Sequence, residues 1–167
     1  MKRLMIALLV LFCACKRQSN NYLYRVEDTL SGASGYIDVR HDTVIPLGKY
    51  KICYTDTFKK VAFVVNRQNR LIAIDKHQNV LFEPYLFDNG PDYEVEGYYR
   101  IIKNNKLGYA DTNGRVVIKP QFGCAYPFKK GRAKVSFNCK TVPAGDEHFA
   151  WESSDWFYID KTGKRIN

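Results

Sequence analysis

The chain has 167 residues, with 26 lysines and arginines against 17 acids, for a formal charge of +9. Apolar residues make up 46% and aromatics 14%, which excludes a disordered chain; 11 glycines and 6 prolines exclude collagen-like and low-complexity classes. The length allows one domain or a short repeat array, and 12 Tyr with 10 Phe favour strands.

Met1-Lys2-Arg3 is a basic start, and Leu4 to Cys13 is an unbroken apolar run of ten residues. A bilayer span needs about 20, so the run reads as the h-region of a secretory signal. Ala14-Cys15 follows, then the polar stretch Lys16 to Asn21. A small residue before Cys15 resembles the bacterial lipobox, although Phe12 stands where Leu is usual. Bulky Phe12 also makes Cys13 a poor match. The resemblance implies a signal peptide over residues 1–14, a diacylated Cys15 as the mature N-terminus, and a tether over 15–21. The alternative is a plain secretory signal cut nearby. Two acyl chains hold a protein stably on a membrane, so the expected address is the bacterial envelope, facing periplasm or cell surface. Without Lys2 and Arg3 the charge is +7. The remaining cysteines are Cys53, Cys124 and Cys139. Their odd number implies a free thiol or an intermolecular bridge in an oxidising compartment. Cys124 and Cys139 are a candidate pair, and connectivity stays open.

Residues 22–167 are expected to form one all-β domain. A first strand, Leu23 to Val26, is expected to pair with the C-terminal hairpin Trp156 to Ile166. One phrase then recurs: Gly35-Tyr36-Ile37-Asp38, Ile72-Ala73-Ile74-Asp75, Gly108-Tyr109-Ala110-Asp111 and Phe157-Tyr158-Ile159-Asp160. The Asp residues lie 37, 36 and 49 apart. The last gap is one period plus an insertion, placed at about 141–154. The first three copies continue into an apolar triplet with a nearby proline: Pro46, Pro84 and Pro120. Each copy reads as an antiparallel three-stranded meander. In the third, Tyr98 to Ile102 leads through the tight turn Asn104-Asn105 to Lys106–Asp111. Asn113-Gly114 signals a type I′ hairpin turn. A strand over Arg115 to Lys119 follows, ended by Pro120, which cannot donate to a ladder. Arg132 to Phe137 alternates polar with apolar, as a sheet with one wet face requires. The pattern leaves an open array, a barrel and a propeller-like ring as alternatives.

Leu107-Gly108-Tyr109-Ala110-Asp111 with Gly114, Pro120, Phe122, Phe128 and Gly131 resembles the WG-repeat family of bacterial β-repeat proteins. Trp156-Phe157-Tyr158-Ile159-Asp160 with Gly163 is the next-best copy. The resemblance covers about residues 34–167. It departs from the motif in that no copy keeps both Trp and Gly. It implies a binding or scaffold module without defined chemistry.

Asp38, Asp75, Asp111 and Asp160 are read as turn residues whose carboxylates accept backbone N–H bonds two or three residues on. Four equivalent copies suit structure better than a single active site. His41 and His77 fall in equivalent turns, and His148 stands in an acidic run with Asp146 and Glu147. No hydrolase, metal-protease or phosphate-loop motif is present, so no cofactor, metal or catalytic residue is assigned. From Tyr98 to Lys140 ten basic residues face one acid, Asp111. Lys129, Lys130, Arg132 and Lys134 lie in this block and are candidates for an anion-binding face; the alternative is that they line wet faces and sheet edges. Phe149 and Trp151 in the insertion are candidate anchors for a partner, or a cap over an open end. The expected function is a non-enzymatic, lipid-anchored envelope module for a protein or glycan, with no nucleic-acid partner. Alternatives are an envelope hydrolase using the acidic and His-bearing loops, or an oligomer formed through strand edges.

The lipid anchor is tested by Cys15→Ala. The variant should leave the membrane fraction for the soluble one; continued partitioning into detergent would refute the anchor.

Overall fold

The computed structural model describes residues 20–145 and 149–166. The signal, Cys15, most of the tether and His148 lie outside the described residues. Every strand pairing in them is antiparallel, and the described residues contain no helix and no closed barrel.

Four meanders follow one another. The first is Leu23–Glu27, Ser34–Ile37 and Thr43–Ile45. The second is Ala62–Val65, Leu71–Ile74 and Val80–Pro84. The third is Tyr98–Lys103, Lys106–Asp111 and Val116–Phe122. The fourth is Arg132–Ser136, Phe157–Asp160 and Arg165–Ile166. The free edge of each later meander's first strand is paired, with its predecessor's third strand in the third meander and with a short strand of the connection in the second and fourth. Ile52–Cys53 pairs with Ala62–Val65, Val80–Pro84 with Tyr98–Lys103, and Cys124–Ala125 with Arg132–Ser136. The second and third meanders therefore share one seven-stranded sheet, flanked by two four-stranded sheets.

Leu23–Glu27 does not meet the C-terminal hairpin. It lies between Ser34–Ile37 and Thr57–Phe58, because the returning chain supplies a nearer edge. The third strand of the third meander also runs past Pro120 to Phe122. Pro120 sits at a register shift opposite Gly108, where a ladder N–H is not needed. Gly108 is required there: a Cβ would lie 2.6 Å from Pro120 N. Gly35 is pressed in the same way, 2.5 Å from Ile45 O.

The middle strands are apolar on both sides, so two layers must cover them. Tyr36, Ile45 and Phe58 of the first sheet pack on Ala62, Val64, Ile72 and Ile74 of the central one. At the other end Leu107, Tyr109 and Ile118 pack on Ala133, Val135 and Ile159 of the last sheet. A third cluster joins the two halves: Val61, Phe63, Ala73 and Phe82 against Ile101 and Ala110. Tyr36 donates its hydroxyl to the Thr55 carbonyl (2.9 Å), and Tyr109 donates to that of Tyr126 (2.6 Å). These bonds tie each connecting loop to the core, and burial pushes both phenols well above their ordinary pKa.

The repeated Asp closes the turn between the second and third strands. Oδ1 of Asp38 accepts the N–H of Arg40 and Asp42, that of Asp75 the N–H of His77 and Asn79. Asp111 takes Asn113 and Arg115, and Asp160 takes Thr162 and Lys164. The donors are two and four residues on, because the turn has three residues and the second donor immediately precedes the next strand. Asn113 does not have positive φ; Gly114 alone does, at 86°. The turn is thus a three-residue loop with a left-handed glycine instead of type I′. His41 and Gln78 occupy the same left-handed position at φ 67° and 66°. His41 and His77 are exposed. Asn104 and Asn105 both have positive φ, as a type I′ turn requires.

Partial desolvation opposes the charge on Asp38, Asp75 and Asp111, but the donated hydrogen bonds outweigh it. At Asp160 the Thr162 hydroxyl contributes most to the same lowering. A carboxyl lowered in the folded state stabilises the fold above its unfolded pKa of about 4, and that stability is lost as pH falls through the folded value. Replacing all four Asp by Asn keeps the Oδ1 acceptor, as Asn66 already does for Gln68 and Arg70. Urea unfolding between about pH 5 and 2 should show a smaller loss of stability in that variant; an equal loss would refute the assignment.

Candidate functional site

The inserted segment is a hairpin, Lys140–Pro143 with Phe149–Glu152. Its register sets Thr141 opposite Trp151 and Val142 opposite Ala150. Cys124 and Cys139 form a disulfide that ties its base to the strand beneath. Ser136 and Ser153 both donate to the Asn138 carbonyl, at 2.8 and 2.6 Å, and fix the same base. Cys53 is the free thiol among the described residues; it is buried, and burial raises its pKa.

The hairpin separates the two inserted aromatics. Trp151 is half-buried against Tyr126 (5.3 Å between ring centroids) and Tyr85 (5.9 Å). Phe149 is 71% exposed. Beneath Trp151 lies an ion pair that composition hides. Arg100 is bidentate to Asp92, at 2.6 and 2.7 Å, and donates to the Ala125 carbonyl at 3.2 Å. Both partners are buried, at 6% and 5% exposure. The guanidinium also stacks on Tyr85, 4.7 Å from its centroid. The acidic stretch Asp88 to Glu96 is therefore committed to structure at two points. Glu96 accepts the N–H of Gly131 at 2.9 Å and pairs with Lys161 at 3.5 Å. The Gly131 bond contributes most to keeping its carboxyl below the usual range.

Beside this cluster runs a cleft of about 620 Å³. Lys129, Lys130, Arg132 and Lys134 line it with Tyr126 and Tyr158. A second cleft of about 680 Å³, walled by Phe149, Trp151, Phe87 and Tyr93, shares Val95, Tyr126 and Pro127 with the first. The four candidate cations and the two candidate anchors thus border two adjoining clefts, which together make up the groove. Lys134 Nζ lies 4.7 Å from the Trp156 ring, and the Arg132 guanidinium 5.2 Å from that of Tyr158. None of the four cations has a carboxylate partner among the described residues. Sequence reasoning missed Tyr126, Trp156 and Tyr158 as members of this groove. The alternation of Lys134 with buried Ala133 and Val135 was the available signal, since its strand partner Tyr158 must share the wet face. Asp38, Asp75, Asp111 and Asp160 stay in their separate turns. No group of three His, Cys, Asp or Glu with metal-holding geometry occurs among the described residues.

Residues 108–140 match the family model described as WG containing repeat. No curated protein and no solved structure matches the chain.

The buried pair positions the inserted hairpin. Asp92→Ala leaves the Arg100 charge buried alone and should cost about 3–5 kcal/mol in urea unfolding. Asp92→Leu with Arg100→Met removes both charges and should cost much less. Equal losses for the two variants would mean that packing, not the charge pair, holds the loop.

Proposed function

The chain is a WG-repeat protein, and on that premise we propose that it is a non-enzymatic binding or scaffold module, held at the bacterial envelope by acylated Cys15. It captures an envelope partner, protein or glycan, in the groove on the outer face of the fourth meander. One observation carries this reading: four cations without carboxylate partners among the described residues border exposed aromatic rings. Such a surface offers stacking area and charge together. The Cys124–Cys139 disulfide fits an oxidising compartment. Of the acidic loop a hydrolase would draw on, Asp92 is held by Arg100 and Glu96 by backbone N–H groups; His148 lies outside the described residues.

A photo-crosslinking residue at Tyr126, in intact envelopes, should give a discrete adduct. The same residue at exposed Arg40, on the first meander, should give none. The adduct should vanish when Arg132→Glu and Lys134→Glu are combined. No adduct at Tyr126, or the same adduct from both positions, would overturn the assignment of the groove.

A further inference from the structure

The groove face has a counterpart inside the molecule. In the second meander Phe63 lies opposite Ala73 and Ala62 opposite Ile74. In the fourth, Lys134 lies opposite Tyr158 and Ala133 opposite Ile159, in the same register. Ala62, Ile74, Ala133 and Ile159 all point into cores, so their alternate neighbours point the other way. In the second meander those neighbours are Val61, Phe63 and Ala73, covered by Ile101 and Ala110 of the third. In the fourth they are Arg132, Lys134 and Tyr158, and no described strand covers them.

A wet end face needs only polarity, which mixed charges would give. On this face cations outnumber acids, with Asp160 opposite Arg132 and Glu96 held on the Lys130 and Gly131 N–H groups, and exposed rings lie among them. Among the described residues Lys129, Lys130, Arg132 and Lys134 hold no carboxylate, as Lys59, Lys103 and Lys119 also do not, but these four share one cleft with exposed rings. Tyr158 is 41% and Tyr126 38% exposed. Arg132 lies over Tyr158, and Lys134 over Trp156 and Tyr126.

We propose that this face binds an acidic glycan. Carboxylate or phosphate groups of the sugar chain pair with Arg132 and Lys134, and sugar rings lie against Tyr126, Trp156 and Tyr158. The proposal rests on the binding reading above and narrows it to one ligand class. An extended peptide is disfavoured because both edges of Arg132–Ser136 are already paired, which removes strand addition as a mode of capture. An open cleft of about 620 Å³ has room for a few sugar units.

The test uses the full lipidated chain in detergent, read by the fluorescence of Trp151 and Trp156, the two tryptophans of the chain. Tetragalacturonate or a phosphorylated mannotetraose should change the signal saturably. The neutral tetrasaccharides should bind roughly tenfold more weakly, as should the charged ones to Arg132→Gln with Lys134→Gln. The thermal midpoint of that variant should be unchanged. Competition by inorganic phosphate or hexaglutamate at the same concentration as the tetrasaccharide would show a site for charge alone and overturn the proposal. So would the absence of saturable change with both acidic tetrasaccharides. If those fail while the crosslinker at Tyr126 captures an envelope protein, the glycan inference falls and the groove as a binding site stands.

Discussion

A three-stranded meander of two- to seven-residue strands cannot cover both of its own faces, and every middle strand but the last is apolar on both. Gly35-Tyr36 and Leu107 to Ala110 are buried throughout, as are Ile72 to Ile74. Each meander must therefore borrow its neighbour. The chain meets this demand twice over, by ladder pairing to the next first strand and by packing one sheet across another. The inward tyrosines complete the arrangement. Tyr36 and Tyr109 fill the two end cores and tie the loops behind them through their hydroxyls.

The same rule creates the groove. Burial of both faces continues from meander to meander until no later strand is described to cover the last one. There the residues change character at fixed register, from Phe63 and Ala73 to Lys134 and Tyr158. The inserted hairpin borders this face, fixed at its base by a disulfide and near its middle by Trp151 over the Arg100–Asp92 pair. Closing a loop of this length is worth about 3 kcal/mol, mainly by constraining the unfolded chain.

Much of the β-architecture was legible because its signals are local. An Asp that closes a turn and a Gly three residues later act within five residues of chain, and they recur in phase. The candidate cations were legible as a charge run. What escaped the sequence was non-local. The edge chosen by Leu23–Glu27 depends on where Thr57–Phe58 returns. Asp92 and Arg100 read as parts of opposing charge blocks, yet they form one buried pair. Tyr109 and Tyr158 occupy the same place in the repeated phrase and face the same way, but the fourth meander covers Tyr109 and no described strand covers Tyr158. One is buried and the other borders solvent.

The account turns on that difference between the internal joint and the open face. Hydroxyl-radical footprinting of the native protein, read by mass spectrometry, measures it directly. Tyr158 and Trp156 should be oxidised readily, and Phe63 and Phe82, each 8% exposed, should be protected until the protein unfolds. Protection of Tyr158 and Trp156 equal to that of Phe63 would contradict the account, because the face assigned to a ligand would already be covered.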